Sequence, residues 1–256
     1  IKISYQSLDR QAENYRKIRN TIRFLLGNLN YYSSKDNVSH EDLPQLEQFI
    51  RHKLFIYNKK INKYFEEFSF YKAFQLILSF CAQELSSLFF DIRKDSLYCD
   101  SSDSNVVKSA KTVMVDVFQC LIRWLSPIIP FTTEEAWQSW RESVEPNDIL
   151  SCHFLKKIEI EENWNNEKLS DRWAKILEIK NAFTFAVEHK RNLKEIKSSL
   201  EAKASIYLKN KEHIAIAKSL DLSEILISSN VIISDTFDEE HLFNSNEKVI
   251  GIKITK

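Results

Sequence analysis

Arg16, Arg19 and Arg23 recur at spacings of three and four within YRKIRNTIRFLLGNL, residues 15–29. On a helix, that spacing lines three guanidinium groups along one stripe. Guanidinium groups pair bidentately with phosphate oxygens, so such a stripe suits a polyanion. At about 100° per residue from Ile18, the side chains of Tyr15, Ile18, Ile22, Leu25 and Leu29 share an arc of about 80°. Arg16, Arg19, Asn20, Arg23 and Gly27 fall between about 100° and 200°, and Asn30 lies in the same arc. Lys17 and Phe24 point to another side. Glu13, three residues before Arg16, is the sole acidic neighbour at helical spacing, and Arg23 has none. A solvated face normally mixes signs. A surface helix that is merely basic is the plainer reading of the same residues. Asn20 and Asn30 add hydrogen-bonding groups beside the charges, with Tyr31 and Tyr32 as aromatic neighbours. Gly27 leaves room for a second backbone to approach.

Other candidates are weaker. DIRKD (91–95) either ends a helix in salt bridges or presents Arg93 and Lys94 to an anion. Trp124, Trp137 and Trp140 suit a core better than a stacking platform. Glu134 and Glu135 are adjacent, so on a helix they diverge by about 100° and do not form a catalytic pair. The six histidines are scattered without metal-ligand spacing, and no two of the four cysteines are within four positions. Cys81 and Cys120 fall on apolar helical faces as core fillers. Reduced cysteines fit a cytoplasmic setting. Gly27 and Gly251 are the only glycines. Neither a P-loop nor a dinucleotide fingerprint can be written with two. These residues are expected to be non-catalytic, with no cofactor of their own.

The elements that must position the arginines are helical. Periodicity predicts a helix from Ser7 to about Tyr31 and a second from Pro44 to about Glu67. A third follows Ser69 through Ile92, and a fourth runs from Ser102 or Ser104 to before Pro127. Thr132 and Glu135 have capping-box spacing, which predicts a short fifth helix there. Helices of this length, roughly 35–40 Å, joined by short links give an elongated antiparallel bundle over 1–141. Residues 142–164 read as an extended connector. From 165 to 256 the pattern is a small α+β module: a helix from Ser170 to Asn192, a strand in AKASIYL, a short helix in KEHIAIAKSL, then strands in EILISSNVIIS and KVIGIKIT. The fold class is mainly α, with this α+β appendage.

With 43% apolar residues among 256, the chain can bury a large core. No uninterrupted apolar run reaches the ~18 residues of a bilayer span, so no membrane partner is expected. The chain opens at Ile1 and its one methionine is Met114, which reads as part of a longer product. Lys+Arg and Asp+Glu balance at 36 each, so any nucleic-acid surface must be local. That balance also suits a helical protein-interaction scaffold.

Four stretches occur in a recognisable order: YRKIRNTIRFLLGNL (15–29), DIRKDSLY (91–98), RWLSPIIPFTTEEAW (123–137) and IKSSLEAKASIYL (196–208). Together they resemble the C-terminal anticodon-binding region of bacterial-type isoleucyl-tRNA synthetases, from about Ser4 to Ser234. The first and third are shared more widely with the valyl, leucyl, cysteinyl and methionyl branch of class I synthetases, and SSLEA favours isoleucine over valine. The resemblance implies a bundle gripping the anticodon stem-loop of tRNA(Ile), with Arg16, Lys17, Arg19, Asn20, Arg23, Asn30, Arg93 and Lys94 as binding residues. It implies that ATP and magnesium act in an N-terminal catalytic domain, accompanied by a separate editing domain, both lying outside these residues. Relatives often carry Arg where this chain has Ser96, which removes one cation. Many also end in a four-cysteine zinc knuckle, whose cysteines do not occur up to Lys256, so that the knuckle either follows Lys256 or is lacking.

Overall fold

The computed structural model describes residues 4–30, 32–144, 148–234, 236–237, 241–243 and 249–255. It divides into two units, 1–166 and 167–256.

The first unit is the bundle. Helix α1 spans Tyr5–Leu29 and begins two residues earlier than periodicity predicts. Ser4 and Ser7 explain this: each side chain accepts a hydrogen bond from the other's backbone N–H. Helix α2 is Gln45–Glu66, with Pro44 as its N-cap. Next come α3, Phe70–Ser79, and α4, Phe90–Cys99, joined without a break by a π-helical segment, Phe80–Phe89. The Ser87 hydroxyl donates to the Ala82 carbonyl five residues back, at 2.9 Å. Apolar periodicity alone does not reveal that widening. By length and composition the run Phe70–Cys99 would pass for a membrane span. Its apolar side serves the bundle instead, with Ala73, Ile77, Phe80, Cys81, Leu85 and Phe89 all essentially inaccessible.

Helix α5, Asn105–Leu125, is capped by Ser104 and is the most deeply buried element of the unit. Helix α6, Pro130–Ser143, carries Pro at its first position. The capping box predicted from Thr132 and Glu135 does not form, because the helix is already under way at Pro130. Trp124, Trp137 and Trp140 are core residues, and Trp140 stacks on Phe118 at 4.7 Å.

Of the stretch read as a connector, 142–164, described residues from Ile149 to Trp164 pack on this unit. Trp137 Nε1 donates to the Ile149 carbonyl, and Asn58 Nδ2 donates to that of Ile158. The Arg51 guanidinium lies 4.6 Å above the Trp164 ring.

The second unit is a four-stranded sheet covered by helices. Helix α7 is Glu167–Asn192. The strands are β1 (Lys203–Leu208), β2 (Asn230–Ser234), β3 (Leu242–Phe243) and β4 (Ile250–Thr255), in the order β2-β1-β4-β3. Strand β1 is parallel to β2 and antiparallel to β4. The parallel pair needs a crossover, which α8 (Lys211–Lys218) and α9 (Leu222–Leu226) supply. Ala204, Ile206, Leu208, Ile250, Ile252 and Ile254 form one core with Ile179, Ala182, Phe183 and Ala186 of α7.

EILISSNVIIS differs from its strand prediction in its first half, which lies in α9. Asp221 accepts from the N–H groups of Ser223 and Glu224 to start that helix, and Ile227 ends it at φ 55°. The capping interaction outweighs the β preference of three apolar residues.

Candidate nucleic-acid interface

Drawing Ile18, Thr21, Ile22, Leu25 and Leu29 into the bundle turns the opposite arc of α1 to solvent. Arg16, Lys17, Asn20, Arg23 and Asn30 are exposed. Among the described residues, Arg16, Lys17 and Arg23 have no ion-pair partner. Gly27 sits in open space, so no second backbone of the described chain uses the room it leaves.

Two neighbours frame this arc. On one side stands α6. The Tyr15 and Thr132 hydroxyls share a hydrogen bond of 2.9 Å, and Arg19 lies 3.7 Å from Glu135. Thr132 and Glu135, expected to cap a helix, are therefore ties to α1. Arg19 is the member of the stripe already engaged.

On the other side is a cleft of about 540 Å3 between α1, the π-helical segment and the start of α4. Phe24 and Phe90 stack at 4.4 Å along it, with Cys81 beneath. Lys17, Asn20, Ser86, Ser87 and Lys94 bring polar groups to its rim. The π turn sets Ser86 and Ser87 here, a contribution that sequence periodicity misses. Lys94 remains on the surface in a 2.9 Å pair with Asp91, whose hydrogen bond raises its pKa.

Arg93 must be corrected. It is 3% exposed and grips the wholly buried Glu47 of α2 through two bonds, 2.5 and 2.9 Å. The fork that would suit a phosphate is committed to a carboxylate inside the bundle. Tyr32 is buried, and Tyr31 lies outside the described residues. Tyr32 therefore offers no stacking surface here.

Glu134, Cys152 and His153 bring potential metal-ligand atoms within 4.8 Å of one another. Burial acts to raise the Glu134 pKa, but hydrogen bonds from Gln138, Ser151 and Cys152 override it and hold the carboxyl at about 2. Burial pushes the Cys152 thiol up to about 11, so it is protonated at neutral pH and faces the Thr133 hydroxyl. The Ser151 hydroxyl and the Cys152 N–H both donate to the Glu134 carboxylate and anchor this loop to α6. The two glycines lie in α1 and β4 with ordinary φ. These residues do not form a glycine-rich cradle for ATP.

A family model for the anticodon-binding domain of tRNA ligase matches residues 47–207. That covers well over half of the chain, though α1 precedes it. Curated relatives extend the likeness through α1. An isoleucine–tRNA ligase of Pelagibacter ubique is 37% identical over 94% of this chain and 26% of its own length. One from Bartonella henselae is 36% identical over 100% of this chain and 27% of its own. One from Bartonella quintana is 36% identical over 91% and 23%. The chain thus spans about a quarter of the length of these relatives. A bundle of this make, with the family model across it and three ligases aligned along nearly all of it, settles the kinship: the chain belongs to the anticodon-binding domain family of tRNA ligases.

Proposed function

We propose that this chain grips the anticodon arm of tRNA(Ile) and positions it for aminoacylation by domains elsewhere in a longer isoleucine–tRNA ligase. The observation that carries the reading is the exposed arc of α1. Among the described residues Arg16 and Arg23 stand without acidic partners, between a tie to α6 and a cleft lined by Lys17, Lys94 and Asp91. Guanidinium groups on a rigid helix hold phosphates and fix register. The cleft, with a phenyl floor, Asn20 at its rim and Lys17 and Lys94 flanking it, suits an unstacked loop base, which proteins recognise by stacking and polar edges. In this reading the catalytic and editing domains lie in the remainder of the longer chain, where ATP and magnesium act. A structural zinc would sit beyond Lys256, and the protein would work in the cytoplasm.

The test compares the chain's affinity for a tRNA(Ile) anticodon stem-loop with that for the same stem carrying a shuffled loop. Tighter binding of the isoleucine loop is expected. Equal binding of both would refute the tRNA(Ile) assignment, and binding of neither would refute the RNA reading itself.

A further inference from the structure

Phe131 is 90% exposed, although it sits in the ordered first turn of α6. Its neighbours are fixed in place. Pro130 opens the helix, and the Thr133 hydroxyl donates back to the carbonyls of Ile129 and Pro130 at 3.2 and 3.0 Å. Thr132 is tied to Tyr15, while Glu134 is held by Ser151 and Cys152. Among the described residues the Phe131 ring meets no other aromatic ring and fills no buried pocket.

Its direction follows from helical spacing. Phe131 and Glu135 are four apart and share a face of α6. Glu135 meets Arg19 of α1, which is itself four residues on from Tyr15. The exposed ring is thus on the side of α6 that adjoins the arginine arc. A rigid aromatic face beside guanidinium groups is the arrangement on which unpaired bases stack. Glu135 on this face is paired with Arg19. Arg16 and Arg23, without an ion-pair partner among the described residues, leave the adjoining arc net basic, which favours a nucleic acid over a protein as its occupant.

We infer that Phe131 is a stacking platform for one unstacked base of the bound RNA loop, on the α6 side of the arc and separate from the cleft. The inference rests on the tRNA-binding reading above. It is tested with the full 256-residue chain and a tRNA(Ile) anticodon stem-loop carrying 2-aminopurine at single loop positions. Phe131→Leu keeps an apolar side chain but removes the ring, and Phe131→Trp restores an aromatic face. The expected result for Phe131→Leu is an affinity loss of roughly five- to hundred-fold, the range that stacked bases supply. Quenching should vanish at one loop position, the salt dependence should stay unchanged, and Phe131→Trp should recover affinity and quenching. Wild-type binding by Phe131→Leu, alongside weakened Arg16→Ala and Arg23→Ala variants, overturns the platform and leaves the RNA reading standing. A reduced salt slope in Phe131→Leu also overturns it, since the ring would then act by placing arginines. No binding by any variant, wild type included, overturns both.

Discussion

The Arg93–Glu47 pair gives a quantitative test of the distinction between structural and RNA-facing arginines. Both side chains are essentially sealed, at 4% and 0% exposure, and share two hydrogen bonds. Arg93→Met leaves the Glu47 carboxylate buried without its partner. Breaking such a pair costs about 3–5 kcal/mol. For a unit of this size, each kcal/mol lowers Tm by about 2–4 °C, so the expected drop is about 6–20 °C. Replacing both residues, Glu47→Met with Arg93→Met, removes the stranded charge and should return most of that loss, because paired buried charges barely exceed apolar packing. The assay is urea and thermal unfolding followed by circular dichroism, with stem-loop affinity measured on the folded variants. A single variant within about 1 kcal/mol of wild type that binds RNA more weakly would refute the reasoning and return Arg93 to the surface.

Three further outcomes are expected. Glu135→Gln releases Arg19 from its 3.7 Å pair, and should tighten stem-loop binding by up to roughly five-fold, the worth of an exposed pair; weaker binding would contradict this. Of the four thiols, Cys99 alone is exposed, while burial pushes Cys81 up to about 12 and Cys120 well above its usual range. Ellman's reagent should therefore titrate one thiol in the native protein and four in denaturant. Glu134 is held down at about 2 in the fold, so its stabilisation is full above the ordinary carboxylate pKa and is lost as pH falls towards 2. The acid limb of stability between about pH 5 and 2 should be shallower in Glu134→Gln.

Much of this was legible from sequence for physical reasons. Ile18, Ile22, Leu25 and Leu29 repeat at helical spacing, so the buried side of α1 and the exposure of Arg16 and Arg23 follow together. What sequence hid was partnership. Arg93 looked like a surface cation because Glu47, its partner, is 46 residues away in the chain. Thr132 and Glu135 had the spacing of a local cap, yet their bonds go to Tyr15 and Arg19, more than a hundred residues distant. The π turn at Phe80–Phe89 leaves the apolar pattern continuous, so neither it nor the cleft beside it was visible. In the second unit, the apolar residues 225–227 read as strand until the Asp221 cap placed them at a helix end.

The central claim is that Arg16 and Arg23 hold RNA phosphates. Its most direct measurement is anisotropy of a labelled tRNA(Ile) anticodon stem-loop across a salt series, for wild type, Arg16→Ala and Arg23→Ala. Each variant should bind more weakly and lose about one unit of log–log salt slope, with circular dichroism unchanged. Wild-type affinity and slope in both variants would contradict the account.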